Sequence, residues 1–476
     1  MAPLLDCPDE LLLQITQHLD SQSLLKLMRT CRRVRPVAQE ALYCSIVVPP
    51  SSNDFDPPLA CLLRTLIQRP SLANLVREVW FAPRKQYVPV DLPGQTTLER
   101  FHPHVDVTMW EPGVVAAIIS LAPKLVNLSV FPCGQFPTHS PMVLPKTNVP
   151  PVSIIREMFR SRQNRDGLID IATLQPYQNL KHVRLCTRIL EHEWIKLPNL
   201  ESLLLCHHTQ TFWSGNDPPP ANSRMSRLEL ELNFDILLPV SPGTLLQSLQ
   251  PTRNLQLHGF LLLFPNLKDL LITLYTPPGL SQHNIVPLSF DNLIAKIPAT
   301  GRLETLNIRI LTSVEDVRTF EHIFPLSNVA KLSALRVLEI PQAALGSQEG
   351  PINLEDILPV TLEVLTVHRV DDSMLRWIKR IIAERHRLPN LRRIDLYLIG
   401  VRSAEYVGLI CTYMRSEDMW KLLEVGIEVD IWWRLEEFQT NWQNIGMGRI
   451  HREVEEDPGQ SRVFIAVERF LAQSEA

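Results

Sequence analysis

The sequence has no excess of positive charge and no long apolar run, and each of these shortages excludes a class of protein. Lysine and arginine number 47 against 51 aspartate and glutamate, a formal net charge of -4. A protein built to bind nucleic acid or a membrane surface shows a basic excess instead. No stretch reaches the roughly 18 uninterrupted apolar residues of a membrane-spanning helix. The N-terminus carries acids at positions 6, 9 and 10 and no basic residue ahead of an apolar run, which argues against a secretory signal. We therefore expect neither a nucleic-acid nor a membrane partner.

The eight cysteines are scattered, and none of them forms a Cys-x-x-Cys pair. Several lie within apolar patterns, where a free cysteine behaves as a small hydrophobic residue. This usage predicts a reducing compartment, the cytoplasm or the nucleus, and buried thiols.

The sequence also lacks the motifs of enzymes and of metal or cofactor sites. His192-Glu193 is without the second histidine that a zinc protease carries on the same helix face. Gly446-Met447-Gly448 is without a third glycine and without the strand-turn-helix context of a dinucleotide site. We therefore expect no catalytic residues, no cofactor and no metal.

The first clear pattern lies at the N-terminus, where the sequence predicts three short amphipathic helices with almost no loop between them. Pro8 suits the opening turn of the first helix, because the N–H that it lacks would be unpaired there. Asp9 and Glu10 place negative charge at the positive end of the helix dipole. Asp20 or Ser21 can cap the second helix. Three helices of this size bury too small a core to fold alone, so they need a partner, the rest of the chain, or both.

The order of residues in this segment resembles an F-box, the helical motif that docks a substrate receptor onto the Skp-family adaptor of a cullin-based ubiquitin ligase. The matching residues are Pro8-Asp9-Glu10-Leu11-Leu12, Ile15, Leu19, Leu24, Leu27, Cys31-Arg32-Arg33, Leu42 and Tyr43. Cys7 stands where F-boxes usually have leucine, and Val34 stands where they often have an aromatic residue. An ordinary amphipathic cap on a larger domain is the alternative interpretation.

The resemblance implies a Skp-family adaptor as a partner and, through it, a cullin. It also implies which side chains contact the adaptor. These are Leu5, Pro8, Leu11, Leu12, Ile15, Leu19, Leu24, Leu27, Cys31, Arg32 and Val34.

Behind this segment a phrase of the form Leu-x-x-Leu-x-Leu, with Ile, Val or Met allowed, recurs along the chain. The phrases begin at Leu75, Leu125, Leu180, Leu200, Met225, Leu267, Leu303, Leu335, Leu362, Leu391 and Leu422. From Leu267 onwards their first positions are 27 to 36 residues apart, whereas the earlier spacings are irregular. Each phrase has the alternation of a short strand, and helices are predicted between strands at 114–121, 314–324, 374–387 and 404–414.

This pattern resembles leucine-rich repeats, in which one strand and one helix per repeat bury their apolar faces only by stacking on neighbours. We therefore predict an α/β fold: a small all-α F-box at 1–48, a linker and helix at 49–70, an irregular leucine-rich-repeat solenoid at 71–430 and a C-terminal cap at 431–476. Parallel strands would line the concave face, with helices and loops outside. An ordinary α/β sheet is the alternative.

Within a phrase the leucines point into the core, whereas the third residue, the fifth residue and the one after the phrase point outward. The candidate target-binding residues on this outward face are Arg184, Arg227, Glu229, Asp269, Asn307, Arg309, His368, Arg393, Asp395 and Tyr397. Their mixed charge favours a folded protein or a peptide over a polyanion. Two long loops, 131–151 and 207–222, are the rival surface.

The sequence thus predicts a non-catalytic substrate-recognition subunit of an SCF-type ubiquitin ligase, with a target protein held by the repeats. The alternative is a leucine-rich-repeat scaffold that acts outside any ligase, with the N-terminal helices serving as a cap.

Overall fold

The structure is a computed structural model that divides into two compact units. The first comprises residues 1–138, 144–231 and 259–266, and the second comprises 139–143, 232–258 and 267–476. The described residues are 7–48, 58–81, 111–130, 175–185, 190, 192–205, 221–233, 257–275, 288–298, 301–311, 323–324, 326–345, 354–400, 409, 412–413, 416–435 and 448–450. Among these residues, no helix is long and apolar enough to cross a membrane, and no group of His, Cys, Asp and Glu side chains is placed to hold a metal ion.

The N-terminal segment folds into three helices, as predicted: α1 (Asp9–Gln17), α2 (Ser21–Thr30) and α3 (Val34–Cys44). Asp20 caps α2, since its carboxylate accepts a hydrogen bond from the backbone N–H of Ser23 at 2.6 Å. This hydrogen bond lowers the pKa of the Asp20 carboxyl group. Helix α3 packs on both α1 and α2. The buried residues of the three helices are Leu12, Thr16, Leu24, Val34, Val37 and Ala38.

The first unit continues from α3 into parallel strands that pair in chain order. Its elements are β1 (Ser45–Val48), α4 (Pro58–Gln68), α5 (Pro70–Ala73), β2 (Glu78–Phe81), α6 (Glu111–Leu121), β3 (Asn127–Val130), α7 (Gln175–Gln178), β4 (His182–Leu185), α8 (His192–Ile195), β5 (Ser202–Leu205), β6 (Arg227–Asn233) and α9 (257–262). Each strand pairs in parallel with the next, from β1 on β2 to β5 on β6. Each of these strands thus lies beside the strand that precedes it in the chain.

The second unit has the same arrangement. Its elements are β7 (Asp269–Tyr275), β8 (Leu288–Ser289), α10 (Phe290–Ile294), β9 (Thr305–Leu311), β10 (Ile323–Phe324), a 3-10 turn (Val329–Lys331), β11 (Val337–Pro341), α11 (Gln342–Leu345), α12 (Leu354–Ile357), β12 (Val364–His368), α13 (Met374–Ala383), a 3-10 turn (Arg385–Arg387), β13 (Arg393–Gly400), α14 (Glu417–Glu424), β14 (Glu428–Leu435) and β15 (Gly448–Ile450). The strand order is β7-β9-β11-β12-β13-β14-β15, which is open, and β8 pairs with β10 separately. Only the β14–β15 pair is antiparallel among the described strands.

The predicted helices at 114–121 and 374–387 are confirmed as α6 and as α13 with its 3-10 turn. Those at 314–324 and 404–414 lie mostly outside the described residues. Ile323–Phe324, the end of the former, is a short strand. The C-terminal cap predicted at 431–476 also falls mostly outside them, apart from the end of β14 and β15.

The apolar positions of the phrases form the core of each unit, as predicted. From the phrase at Leu125 to the phrase at Leu391, every first, fourth and sixth side chain is at most 6% exposed. A side chain of this size stabilises the fold by roughly 1.5–3 kcal/mol when it is fully buried. The core of each unit is therefore built from the recurring phrase, because the three buried side chains of one phrase stack on those of the next.

The prediction of a strand at 422–427 is wrong. This stretch contains the end of α14 (Glu417–Glu424), which Ser416 caps at its N-terminus. Gly426 ends the helix with a φ of +79°, a left-handed conformation that glycine adopts without a steric penalty. The strand begins at Glu428 instead. The apolar residues of 422–427 fit a helical stripe as well as a strand, and the capping residues on either side decide between the two.

The prediction of buried thiols is not met at Cys7, Cys31, Cys44 and Cys61, which form no disulfide and are only half-buried. Three of them lie at or next to the ends of α1, α2 and α3, where solvent reaches the chain. Partial burial still raises the pKa of the Cys44 thiol. The other four cysteines lie outside the described residues.

An asparagine directly before the first apolar residue of four phrases ties each repeat to the preceding one. The side-chain amides of Asn179, Asn199, Asn266 and Asn390 donate to the carbonyl oxygens of Pro123, Gln178, Ser223 and Val360 at 2.7, 2.6, 2.6 and 2.9 Å. In each case the acceptor lies two residues before the first position of the preceding phrase. The repeated Asn-Leu dipeptide is therefore a sequence signal for a bond between repeats.

A related contact is fully buried. The Asn222 side chain donates to the carbonyls of Ile195 at 2.8 Å and Leu197 at 3.3 Å. Its Oδ1 accepts from the backbone N–H groups of Arg224 at 3.0 Å and Met225 at 3.2 Å. One amide thus bonds to four backbone groups. Of these, the Leu197 carbonyl also accepts from the Leu200 N–H at 3.4 Å and would keep that bond if the amide were removed.

We expect Asn222→Ala to destabilise the protein by about 2–3 kcal/mol, because buried polar groups left without partners cost about 1–3 kcal/mol. Asn390→Ala, which removes one exposed hydrogen bond, is the matched control and should cost less than about 1 kcal/mol. Urea unfolding followed by circular dichroism measures both. Equal losses in the two variants would contradict the structural role given to Asn222.

Candidate functional site

The helices α1 and α2 expose large apolar side chains that their own core leaves unused. Leu11, Ile15 and Leu19 are 48%, 44% and 36% exposed, and Leu25 is 46% exposed. The first three are spaced four residues apart, so they follow one stripe along α1 and just past its end. Exposed apolar patches on a folded protein mark interaction surfaces. We call these four side chains the helical surface.

The residues predicted to contact an adaptor fall into two groups. Pro8, Leu11, Ile15, Leu19 and Arg32 are exposed, and Leu27 and Cys31 are half-buried. Leu12, Leu24 and Val34 are at most 5% exposed and form the core between the helices. Leu5 lies outside the described residues. In this structure the first group is available to a partner, whereas the second group holds the three helices together.

Sequence reasoning missed Leu25, which lies on α2. The apolar stripe that was recognised there runs through Leu24, Leu27, Met28 and Cys31, and Leu25 falls outside it. An apolar residue beside the core stripe of a helix, and not on it, is the sequence signal for such a side chain. Close by, the Arg33 guanidinium donates to the carbonyl of Cys7 at 2.9 Å, which ties the start of α3 to the start of α1.

The second candidate surface lies on the strands of the second unit. Strand register places Asn307, Glu339, Thr366, Asp395 and Asp430 side by side in one row. These residues belong to five successive strands, β9 and β11 to β14, and their side chains lie on the side opposite the leucines. We call the outward positions of β7, β9 and β11–β14 the outer strand face.

Glu339 is the buried centre of an ionic cluster on this face, whose other members are partly exposed. The Arg309 guanidinium donates to both of its carboxylate oxygens, at 2.5 and 3.1 Å. The His368 Nε2 lies 2.6 Å from Glu339 Oε1, and the His368 ring lies 4.6 Å from the Tyr397 ring. Desolvation raises the pKa of the Glu339 carboxyl group, but the hydrogen bonds from His368 and Arg309 outweigh it and lower that pKa to about 2. Glu339 is therefore ionised at neutral pH.

A second ionic cluster lies two strands away. Arg393 donates to Asp395 Oδ1 at 2.9 Å, and its Nη2 also lies 2.9 Å from Asp430 Oδ2. The Thr366 hydroxyl lies 3.4 Å from the other Asp395 oxygen. Both carboxylates are buried. Desolvation lowers the pKa of the Arg393 guanidinium, but the bond to Asp395 and the charge of Asp430 raise it overall.

The structure places all ten predicted face residues on strands with outward register. Six of them, Asn307, Arg309, His368, Arg393, Asp395 and Tyr397, lie together on β9, β12 and β13 of the second unit, and Asp269 lies on β7. Arg184, Arg227 and Glu229 lie on β4 and β6 of the first unit, where Arg227 pairs with Glu229 at 2.5 Å. Arg184 lies 4.0 Å from Glu231. The rival loops at 131–151 and 207–222 lie outside the described residues, except for Ala221 and Asn222.

Glu339 and Asp430 are the residues that sequence reasoning missed. Glu339 is the fifth residue of the phrase at Leu335, so the outward-position rule applied to that phrase would have found it. Asp430 was hidden because the last strand was placed at 422–427. The buried charge of both carboxylates has no local sequence signal, since their partners lie on neighbouring strands.

We expect Glu339→Gln to destabilise the protein by about 2–3 kcal/mol at pH 7, because hydrogen bonds to a charged group contribute about 1.5–3 kcal/mol each. The folded-state pKa of Glu339 is depressed from 4.5 to about 2. Its contribution is thus fully present above pH 4.5 and is lost as the pH falls towards 2. Urea midpoints of the wild type and the variant should therefore converge over this range.

Glu304→Gln is the control for that experiment. Glu304 pairs with Lys268 at 2.8 Å on the protein surface, where ion pairs contribute little. The urea midpoint of Glu304→Gln should stay close to that of the wild type. A midpoint difference between Glu339→Gln and the wild type that does not change between pH 7 and pH 3 would refute the ionic role of Glu339.

Comparison with known proteins covers only the N-terminus. No curated protein matches the chain. The family model described as F-box-like matches residues 4–48, the segment that contains α1, α2, α3 and β1. The N-terminal region of this chain is therefore an F-box-like domain, followed by an α/β region with an open parallel sheet.

Proposed function

We propose that the chain is the non-catalytic substrate-recognition subunit of an SCF-type E3 ubiquitin ligase in the cytoplasm or nucleus. The F-box-like domain binds a Skp-family adaptor and, through it, a cullin. The strands behind it form an irregular leucine-rich-repeat solenoid that binds the target protein. Ubiquitin transfer is then accelerated by proximity, with the chemistry supplied by other subunits.

The observation that supports this proposal most directly is that the F-box-like domain exposes the helical surface. Leu11, Ile15, Leu19 and Leu25 are exposed in a domain whose core is already complete. Covering apolar area stabilises a complex by roughly 25 cal/mol per Å². An adaptor that presents an apolar groove would gain this energy, and the family match indicates that type of partner.

We expect the double variant Leu11→Asp, Ile15→Asp to bind a purified Skp-type adaptor at least about thirtyfold more weakly, because central interface residues contribute about 2 kcal/mol or more. Isothermal titration of the full chain measures the affinity. Circular dichroism should show the wild-type fold, since both side chains are exposed. Leu12→Asp, by contrast, places a charge in the core and should unfold the three helices.

The matched control is Leu262→Asp. Leu262 is also helical and is 51% exposed, but it lies far from the F-box-like domain in sequence. The Leu262→Asp variant should bind the adaptor as the wild type does. Failure of the wild-type chain to bind any Skp-type adaptor would overturn the ligase proposal.

The second candidate function is a repeat scaffold outside any ligase, with the F-box-like domain as its cap. The observation in its favour is that this domain runs directly into the sheet. β1 pairs with β2 through four residue pairs, and the Cys44 carbonyl accepts from the Arg77 N–H at 3.0 Å. Under this alternative the N-terminal helices serve stability rather than adaptor binding.

We expect deletion of residues 1–48 to lower the Tm of the remaining chain, because it uncovers the edge of β2 and removes the packing of α3 on α5. Differential scanning calorimetry measures this effect. An unchanged Tm would exclude the cap role. Adaptor titration then separates the two functions, since only the ligase subunit binds the adaptor.

A further inference from the structure

Five charged residues of alternating sign occupy the same position in five neighbouring repeats of the second unit, and we infer that they make each repeat pair with its correct neighbour. They are Lys268, Glu304, Arg336, Glu363 and Arg392. Each directly follows the first apolar residue of its phrase and directly precedes β7, β9, β11, β12 or β13. We call this row the charge ladder. The inference concerns the assembly of the repeats, so it goes beyond the proposed function and does not depend on it.

Neighbouring members of the charge ladder attract one another in the folded protein. Lys268 Nζ lies 2.8 Å from Glu304 Oε1. Glu363 lies between two arginines, since Arg336 Nε is 2.5 Å from its Oε1 and Arg392 Nη2 is 3.0 Å from its Oε2. The hydrogen bond from Lys268 lowers the pKa of the Glu304 carboxyl group, and the charge of Arg336 on the next strand lowers it further. Every step of the ladder is therefore an attraction between opposite charges.

The first unit repeats one step of this pattern. Lys181 and Glu201 occupy the same position of the phrase, directly before β4 and β5, and Lys181 Nζ lies 2.7 Å from Glu201 Oε1. The hydrogen bond between them lowers the pKa of the Glu201 carboxyl group. Pairing of opposite charges at this position is therefore a feature of both units.

The backbone at these positions holds the strands together but does not distinguish one repeat from another. The Lys268 carbonyl accepts from the N–H groups of Glu304 and Thr305. The carbonyls of Glu304, Arg336 and Glu363 accept the same two bonds from the repeat that follows each of them. Any repeat could make these bonds, and the buried apolar residues of the phrases are alike as well. The distinction between neighbours therefore has to come from side chains outside the core.

A repeat that skipped its neighbour would bring like charges together. With β7 beside β11, Lys268 would face Arg336. With β9 beside β12, Glu304 would face Glu363. With β11 beside β13, Arg336 would face Arg392. Like charges directly opposite each other on neighbouring strands are destabilising. The alternating signs therefore oppose every pairing in this row that leaves out one strand.

The connections between the strands oppose such a skip only weakly. Leaving out one strand roughly doubles the length of the connecting chain, and each doubling adds little closure entropy. Misassembly is a characteristic failure of repeat proteins. Specificity against a wrong partner uses a repulsive element as well as an attractive one. The charge ladder provides both, and the order of strands that it favours is the order that builds the outer strand face.

The charge ladder acts on the choice of neighbour more than on the stability of the native order. Four of its side chains are 39% to 70% exposed, and exposed ion pairs contribute little to stability. Removal of one charge, as in Glu304→Gln, creates no like-charge contact and leaves the native order favoured. A change in the order of the signs is therefore what should disturb the assembly.

Exchanging the charges of two neighbours tests the inference without altering the composition or the net charge. The double variant Glu304→Arg, Arg336→Glu makes the ladder read plus, plus, minus, minus, plus from β7 to β13. Two of the four native contacts then become repulsive, and all three skipped pairings become attractive. The matched control, Lys268→Arg with Arg336→Lys, also exchanges two members of the ladder but keeps every sign in place.

Hydrogen exchange followed by mass spectrometry on the purified full chain measures the choice of neighbour, because a skipped strand loses the protection of its amides. We expect the wild type and the control to protect β9, β11 and β12 in one population. In the exchange variant, at least one of these strands should be protected in at most about half of the molecules at low salt. The urea midpoint of this variant should also fall by about 0.3 M or more. About 1 M NaCl should remove about half of that midpoint difference or more, because the contacts are exposed to solvent.

An inverted ladder separates the order of the signs from the side chains themselves. Addition of Lys268→Glu, Glu363→Arg and Arg392→Glu to the exchange variant restores alternation with every sign reversed, so protection and midpoint should return to the wild-type values. Wild-type protection in the exchange variant, an equal loss in the inverted variant, or a midpoint loss that does not change with salt would overturn the inference. If the exchange variant cannot be purified, a folded inverted variant supports the inference and an unfolded one overturns it.

Discussion

Within each unit, a parallel strand of the main sheet starts against the strand beside it, and the rest of the structure depends on that pairing. The backbone N–H groups of Lys181 and His182 both donate to the carbonyl of Val126, and those of Glu363 and Val364 both donate to the carbonyl of Arg336. Because side chains alternate along a strand, this pairing decides which residues enter the core and which point outward. A slip of one residue would expose the leucines and bury the charges, and the asparagine bonds between repeats oppose such a slip.

The outer strand face is a direct consequence of this register. Glu339 and Asp395 are 395 - 339 = 56 residues apart in the chain, and Asp395 and Asp430 are 430 - 395 = 35 residues apart, yet parallel pairing places all three in one row. Burying a carboxylate without a partner would be strongly unfavourable, and Arg309, His368 and Arg393 lie on the same face to compensate.

The F-box-like domain obeys a different constraint, which is its size. Three short helices supply only a small core, and Leu12, Leu24 and Val34 are used for it. Leu11, Ile15, Leu19 and Leu25 remain on the surface because no further element covers them within the described residues. The domain is also continuous with the parallel sheet, because α3 leads directly into β1 and β1 pairs with β2.

The elements whose signals are local follow from the amino-acid sequence alone. The three N-terminal helices, the strands from Leu125 to Leu391 and the core leucines follow from periodicity and capping, which depend only on near neighbours in the chain. Even Glu339 could be placed outward by the same rule. The error at 422–427 shows the limit of this reasoning, because a six-residue apolar pattern suits a helix and a strand equally until Ser416 and Gly426 are weighed.

The contacts of the outward residues depend on how the strands are arranged in three dimensions. That Arg393 lies between Asp395 and Asp430, or that Glu339 is shared by Arg309 and His368, depends on which strand lies beside which. That Leu12 is buried and Leu11 exposed depends on how α3 packs against α1. Such contacts join residues distant in the chain, and their energies come from burial and from charges at short range, which no local pattern encodes.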